Sequence, residues 1–148
     1  MAIVIRKAEN KDVPALYDLM NDYIVNFYQR EQPSEEALTG LILHLLDQPG
    51  SGLQFVAEVE GELVGFATLY NSFSTLSVKK AAILNDLFVA EPARGKKVGE
   101  KLFEHCIRYI RENDYAYMSW ETAHDNKAAQ ALYDKMGGKK SEWLAYSI

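Results

Sequence analysis

Cysteine is almost missing from this chain: Cys106 is the single one in 148 residues. An internal disulfide is therefore impossible, and a reducing, cytoplasmic compartment is the simplest home. Positive charge is also short, with 16 Lys and Arg against 21 Asp and Glu and a formal net charge of −5. General nucleic-acid binding needs a basic footprint, so that partner class is excluded. No apolar run approaches the roughly 20 residues of a membrane span. The opening Met1-Ala2-Ile3-Val4-Ile5-Arg6-Lys7 is charged too soon for a signal peptide. Neither a membrane nor a metal is expected as a partner. Repeats and low-complexity tracts are absent. So are two phosphate-binding fingerprints, the P-loop G-x-x-x-x-G-K-[ST] and the dinucleotide G-x-G-x-x-G.

What is present suits one domain over residues 1–148. Apolar residues make up 48%, ample for a core, and charged residues 25%, which argues against disorder. Residues 3–6 read as a first strand. Asp12 is placed to cap a helix with Pro14 in its first turn, and Val13, Leu16, Tyr17, Met20, Tyr23, Ile24 and Phe27 form its apolar face. Pro33-Ser34-Glu35-Glu36 opens a second helix, which Pro49-Gly50-Ser51-Gly52 ends. Residues 54–60 and 62–70 flank Gly61 as a hairpin, and polar residues 71–80 read as a loop. A strand at 83–89 and a helix at 100–111 follow. Residues 115–121 read as a strand, and Asn126 opens a helix stopped by Gly137-Gly138. A final strand is expected at 143–148. The order β-α-α-β-β-β-α-β-α-β joins a meander to a βαβ unit. It implies an α/β fold with a central mixed, mostly antiparallel sheet flanked by helices.

The chain is organised around residues 83–99. Ile83-Leu84-Asn85-Asp86-Leu87-Phe88-Val89 is the strand, Ala90-Glu91-Pro92-Ala93 the turn, and Arg94-Gly95-Lys96-Lys97-Val98-Gly99 the helix opening. Val98, Leu102, Phe103, Cys106, Ile107 and Ile110 give that helix an apolar stripe. The first N–H groups of a helix lack internal partners, and its dipole favours negative charge there. Glycine allows close approach to the backbone. With Arg94, Lys96 and Lys97 beside it, the turn reads as a pyrophosphate cradle; a basic helix start with a solvated turn is the plainer alternative.

With these residues in view, the sequence resembles the GNAT (GCN5-related) N-acetyltransferase family, whose element order it matches along essentially the whole chain. Arg94 to Gly99 lies on the family's acetyl-coenzyme A motif, [Q/R]-x-x-G-x-[G/A], with Lys97 where the first glycine stands. Over residues 70–148 the closer likeness is to the diamine and thialysine acetyltransferase branch. It rests on Ser72-Phe73-Ser74-Thr75, Trp120, Asn126, Leu132-Tyr133-Asp134-Lys135-Met136-Gly137 and Glu142-Trp143.

The resemblance implies direct transfer of an acetyl group from acetyl-CoA to a primary amine. The amine must lose a proton and the leaving thiolate must gain one. Tyr133 matches the family tyrosine that faces the coenzyme sulfur and is the candidate general acid. The branch carries a Glu where Asn85 stands, and an amide accepts no proton at neutral pH. The base is left open, with Asp86 as the candidate and Glu121, Glu58 and His124 as alternatives. The resemblance further implies that the backbone of Leu87, Phe88 and Val89 receives the pantetheine arm. Arg94, Gly95, Lys96, Lys97, Val98, Gly99 and Glu100 would hold the diphosphate, and Asn126 and Ala129 would touch the coenzyme; an ordinary N-cap is the other reading of Asn126. Trp120 is read as sheet packing or a pocket wall, and Cys106 as core. The acceptor is expected to be a small polyamine or amino-acid-like molecule, and the family analogy implies a homodimer. A protein N-terminus or lysine as acceptor, and a coenzyme A-binding module without turnover, are the alternatives.

Overall fold

The structure is a computed structural model that describes residues 2–148. Its centre is a five-stranded mixed sheet in the order β1-β2-β3-β4-β5. β1 (Ile3–Lys7), β2 (Gly52–Val59), β3 (Glu62–Ser74) and β4 (Lys79–Val89) run antiparallel to their neighbours, and β5 (Met118–Ser119) runs parallel to β4. Helices α1 (Val13–Asp22) and α2 (Glu35–Asp47) cover one face, and α3 (Val98–Glu112) covers the other. Helix α4 (Lys127–Lys135) follows β5. This is the mixed α/β sheet with flanking helices that the element order implies.

Coverage on both faces explains the pattern of β2. Gln54, Phe55, Val56 and Ala57 are buried in succession. Phe55 and Ala57 meet Leu102, Phe103 and Cys106 of α3, while Val56 joins Leu16, Met20 and Ile42 of α1 and α2. A strand between two helical layers loses the polar alternation of a half-exposed one. The hairpin at Gly61 forms as expected: Glu60 and Gly61 both have positive φ, 52° and 82°, as a two-residue turn of type I′ requires. Ser34 caps α2, its Oγ accepting from the Ala37 N–H at 3.1 Å.

Several expectations are corrected. Residues 71–80 are not a loop: the β3–β4 ladder continues from Asn71–Ala82 to Ser74–Lys79, and only four residues turn at its tip. The stretch lacks a burial period because both faces of the tip are exposed, yet its backbone pairs fully. Of the strand read at 115–121, only Met118 and Ser119 are strand, with Ala116 and Tyr117 each adding one backbone hydrogen bond to β4; Trp120 turns instead to pack on Phe103 and Tyr133. Asp12 does not cap α1 with its side chain. Its buried carboxylate accepts from Arg6 at 2.7 and 2.9 Å and from the Glu9 N–H at 2.8 Å. Residues 143–148 form no strand: Trp143, Leu144 and Tyr146 are 86%, 83% and 90% exposed, because the two-residue β5 offers them too little ladder to join.

Candidate active site

Two irregularities shape the middle of the sheet. The first is a bulge in β4. Thr68 pairs with Asp86, but Leu69 pairs with Leu84, so Asn85 is the extra residue. In a regular strand residues 82, 84, 86 and 88 would share one face. Here Ala82 and Leu84 lie in the α3 core, while Phe88 lies in the α1–α2 core. The bulge therefore carries Asp86 to the α1 side. There it ends a polar row across three strands: Gln54 pairs with Thr68 and donates to its hydroxyl at 3.0 Å, and Thr68 pairs with Asp86. Asn85 Nδ2 donates to Asp86 Oδ1 at 3.1 Å.

The second is the opening between β4 and β5. The two strands pair only through Ala82–Met118 and Ile83–Ser119. Beyond Ile83 they part among the described residues. Past that point no strand pairs, among the described residues, with the edge of Leu87 to Val89 that faces away from β3; an extended ligand would pair there once the Arg94 side chain releases the Val89 carbonyl. The side chains of Leu87 and Val89 pack on the α3 core, and that of Phe88 on the α1–α2 core.

Helix α3 begins where this opening ends. Lys97 is its N-cap residue, with φ 67° and ψ 18° in the left-handed region, and no side chain caps the helix among the described residues. The Lys101 N–H makes a bond to the Lys97 carbonyl, which leaves the amides of Val98, Gly99 and Glu100 facing outward at the helix start. Lys96 and Lys97 are exposed beside them. Gly95, with φ 78°, has open space where a Cβ would stand, whereas Gly99 lies against Val89. These groups suit a diphosphate. Arg94 leans away from them: its Nε donates to the Val89 carbonyl at 2.8 Å, and its guanidinium lies over Phe27 and Phe88 at 5.7 and 5.5 Å. The Glu100 carboxylate pairs with Lys135 at 2.9 Å, tying α3 to α4 and holding the group below the usual carboxylate range.

Helix α4 carries Tyr133 against Trp120, the residue after β5. Asn126 caps the helix, its Oδ1 accepting from the Ala129 N–H at 3.2 Å. Gly137, with φ 91°, closes it: the Gly138 N–H bonds to the Tyr133 carbonyl at 2.8 Å and the Gly137 N–H to that of Asp134 at 3.2 Å. The Tyr133 ring rests 5.3 Å from both Phe103 and Trp120, so Trp120 packs the acid candidate in place. Burial and the neighbouring Tyr28 raise the Tyr133 phenol above its ordinary value, which keeps it a proton donor at neutral pH.

The remaining titratable groups sort by geometry. Glu58 is paired with Arg6 at 3.0 Å. His105 packs on Phe55 at 4.6 Å, and burial lowers it. His124 and Glu121 are exposed. The Cys106 thiol is buried in the α3 core and pushed up to about 12, too high for a nucleophile.

Residues 13–138 match the Acetyltransferase (GNAT) family. The chain belongs to the GNAT family. The D-amino-acid N-acetyltransferase HPA3 of Saccharomyces cerevisiae is 33% identical over 145 residues, 96% of this chain and 88% of the yeast protein. The uncharacterized N-acetyltransferase YhfO of Bacillus subtilis is 35% identical over 133 residues, 90% and 87% of the two chains. Among solved structures, a probable acetyltransferase superposes with a TM-score of 0.88 at 31% identity, covering 100% of this chain and 97% of that one. This GNAT protein is therefore an acyltransferase, and its family draws the acetyl group from acetyl-CoA.

The sequence alone did not single out the irregular end of the first helix. After Asp22 the first helix loosens into one π-turn, Tyr23–Phe27, in which the Tyr28 N–H reaches back to the Tyr23 carbonyl at 3.0 Å. In a regular α-helix residues 23 and 28 would stand about 140° apart. The wider turn brings their rings edge to face at 5.0 Å, with Phe27 5.1 Å from Tyr28. The available signal was three aromatics at 23, 27 and 28, one more than an α-helical stripe accommodates on one face.

Proposed function

We propose that this GNAT enzyme acetylates the primary amine of a small polyamine or amino-acid-like molecule, with Tyr133 as the general acid that protonates the leaving coenzyme thiolate. What supports the reading is a half-buried Tyr133 packed on Trp120, just past β5, and on Phe103 of α3, the helix whose uncapped start follows the β4 edge. The diphosphate would sit on the amides of Val98 to Glu100 with Lys96 and Lys97, and the pantetheine along Leu87 to Val89. Arg94 would leave the Val89 carbonyl to reach the diphosphate, and Asn126 and Ala129 would border the coenzyme from α4. Asp86 is the base, the buried carboxylate nearest the opening on the α1 side. The likeness to a D-amino-acid N-acetyltransferase supports an amino-acid-like acceptor; the motif matches at Trp120, Tyr133 and Glu142-Trp143 support the diamine and thialysine branch. A cytoplasmic homodimer of single-domain chains fits the same reading.

Two measurements test it. Calorimetric titration should show acetyl-CoA binding, and thiol release should follow addition of an amine from a panel of spermidine, lysine and D-amino acids. Tyr133→Phe should lower kcat by about 10²-fold, as loss of a general acid does, with acetyl-CoA affinity retained. No binding at millimolar acetyl-CoA removes the enzymatic reading, and an unchanged rate in Tyr133→Phe removes the acid.

A further inference from the structure

The turn that leaves β4 folds back on it. The Ala93 N–H bonds to the Ala90 carbonyl at 2.9 Å and the Arg94 N–H to the Glu91 carbonyl at 3.1 Å. Residue 94 is thereby returned to the end of the strand, and its Nε donates to the Val89 carbonyl at 2.8 Å. That carbonyl belongs to the open edge. The Ala90 N–H points towards β3, where it meets the Val64 carbonyl at 2.8 Å. The Phe88 carbonyl is on the same side, 2.8 Å from where a Cβ on Gly65 would stand. Successive residues of a paired strand turn their backbone groups to opposite edges, so those of Val89 point away from β3. The guanidinium completes the hold, lying 5.7 Å from the Phe27 ring and 5.5 Å from the Phe88 ring. An extended arm laid along Leu87 to Val89 would donate to the Val89 carbonyl from the side where this arginine stands.

We propose that Arg94 is a specificity-determining residue: it closes the β4 edge against pantetheine thioesters and is drawn off by a donor that carries a diphosphate. This deepens the acetyl-CoA reading and rests on it. A pantetheine arm alone displaces one hydrogen bond and two cation–π contacts and gives the guanidinium no partner in return. That displacement weakens its binding about ten-fold. A diphosphate gives the guanidinium a charge-assisted, bidentate partner, stronger than the neutral carbonyl it leaves. The coenzyme thus opens the edge that its own arm then fills, while a thioester of a shorter thiol finds that edge shut. The diphosphate lies far from the acyl group, so the discrimination acts on the carrier and not on what it carries.

Binding of the free thiols tests this, with no amine and no turnover. Dissociation constants of pantetheine and of coenzyme A are measured on the full-length protein by NMR titration. Arg94→Ala should tighten pantetheine about ten-fold. The same substitution should weaken coenzyme A by a net of about three-fold, because the lost diphosphate contact outweighs the opened edge. Phe27→Leu removes one aromatic contact and leaves the diphosphate its arginine, so it should tighten both ligands about two- to five-fold. Pantetheine affinity that is unchanged or weaker in Arg94→Ala, or unchanged in Phe27→Leu, overturns the closure while coenzyme A binding stands. Both ligands tightening alike in Arg94→Ala overturns the draw of the diphosphate. A parent protein that binds no coenzyme A at millimolar concentration overturns the acetyl-CoA reading and the closure together. Arg94 is exposed, so its alanine variant keeps the fold; a thermal melt checks this, and Phe27→Leu reads the same closure independently.

Discussion

Replacing Lys97 by glycine should stabilise the protein, against the usual direction of a glycine substitution at a helix end. Lys97 holds φ 67° at the mouth of α3. The left-handed conformation costs a residue with a Cβ about 1–2 kcal/mol. Glycine removes that strain but gains about 0.4–1 kcal/mol of unfolded-chain entropy, so the net is about 1 kcal/mol in favour of the variant. For a domain of this size that is about 2–4 °C in Tm. Lys97→Ala is the control: it removes the same ammonium and keeps the strain, so its Tm should not rise. Acetyl-CoA titration separates charge from backbone. If the ammonium contributes at the helix start as a nearby charge does, about 0.3–1 kcal/mol, both variants should lose about two- to five-fold in affinity. A Lys97→Gly protein that melts below the parent, or an alanine variant that gains as much, would refute the strain argument. It would also mean that the lysine side chain is itself part of what holds α3 in place.

Three further outcomes follow from the same geometry. Asp12→Asn should cost about 2–3 kcal/mol at pH 7 by urea unfolding, since it weakens charge-assisted bonds to Arg6 and the Glu9 amide. Arg6 holds the folded Asp12 below its ordinary value, so this stability is complete above about pH 4 and is lost as pH falls through the folded value; the gap between parent and variant should narrow in acid, and a gap that widens there would contradict the assignment. Cys106 should resist thiol reagents until the protein unfolds, and Cys106→Ala should keep its kcat; rapid labelling of the native protein would show that α3 does not cover it. Gly138→Ala should lower Tm and kcat together, because its Cβ would stand 2.9 Å from Trp120 Cζ2 and 3.0 Å from the Tyr133 carbonyl; a variant with parental Tm and rate would show that the end of α4 does not set Tyr133.

How much of this was legible in the sequence depended on the range of the interactions. The turn from Val89 to Gly99 is local, and its strand, turn and helix follow from spacing alone. The end of α4 is equally local, since Gly137-Gly138 can close a helix whatever surrounds it. The tip of the β3–β4 hairpin was hidden because pairing there is satisfied by backbone, while its side chains have no core to alternate against. The last six residues fail as a strand for the opposite reason: they have the apolar composition of one, but a strand needs a ladder partner. Asp12 was misassigned because a carboxylate at a helix start suits both a cap and a nearby guanidinium, and only the register of β1 brings Arg6 within reach.

The base was the hardest reading, and the reason is specific. Alternation along a strand places Asn85 and Asp86 on opposite faces, and from that rule Asp86 has no claim on a role that belongs to position 85. One inserted residue in the β4 ladder cancels the rule. It turns Asp86 to the α1 face, where it pairs beside Thr68 and the Tyr23 ring packs on Phe88 two residues along. Deleting Asn85 to restore a regular β4 would swing Asp86 towards α3, so kcat should fall as far as in Asp86→Asn even where a melt shows the sheet intact.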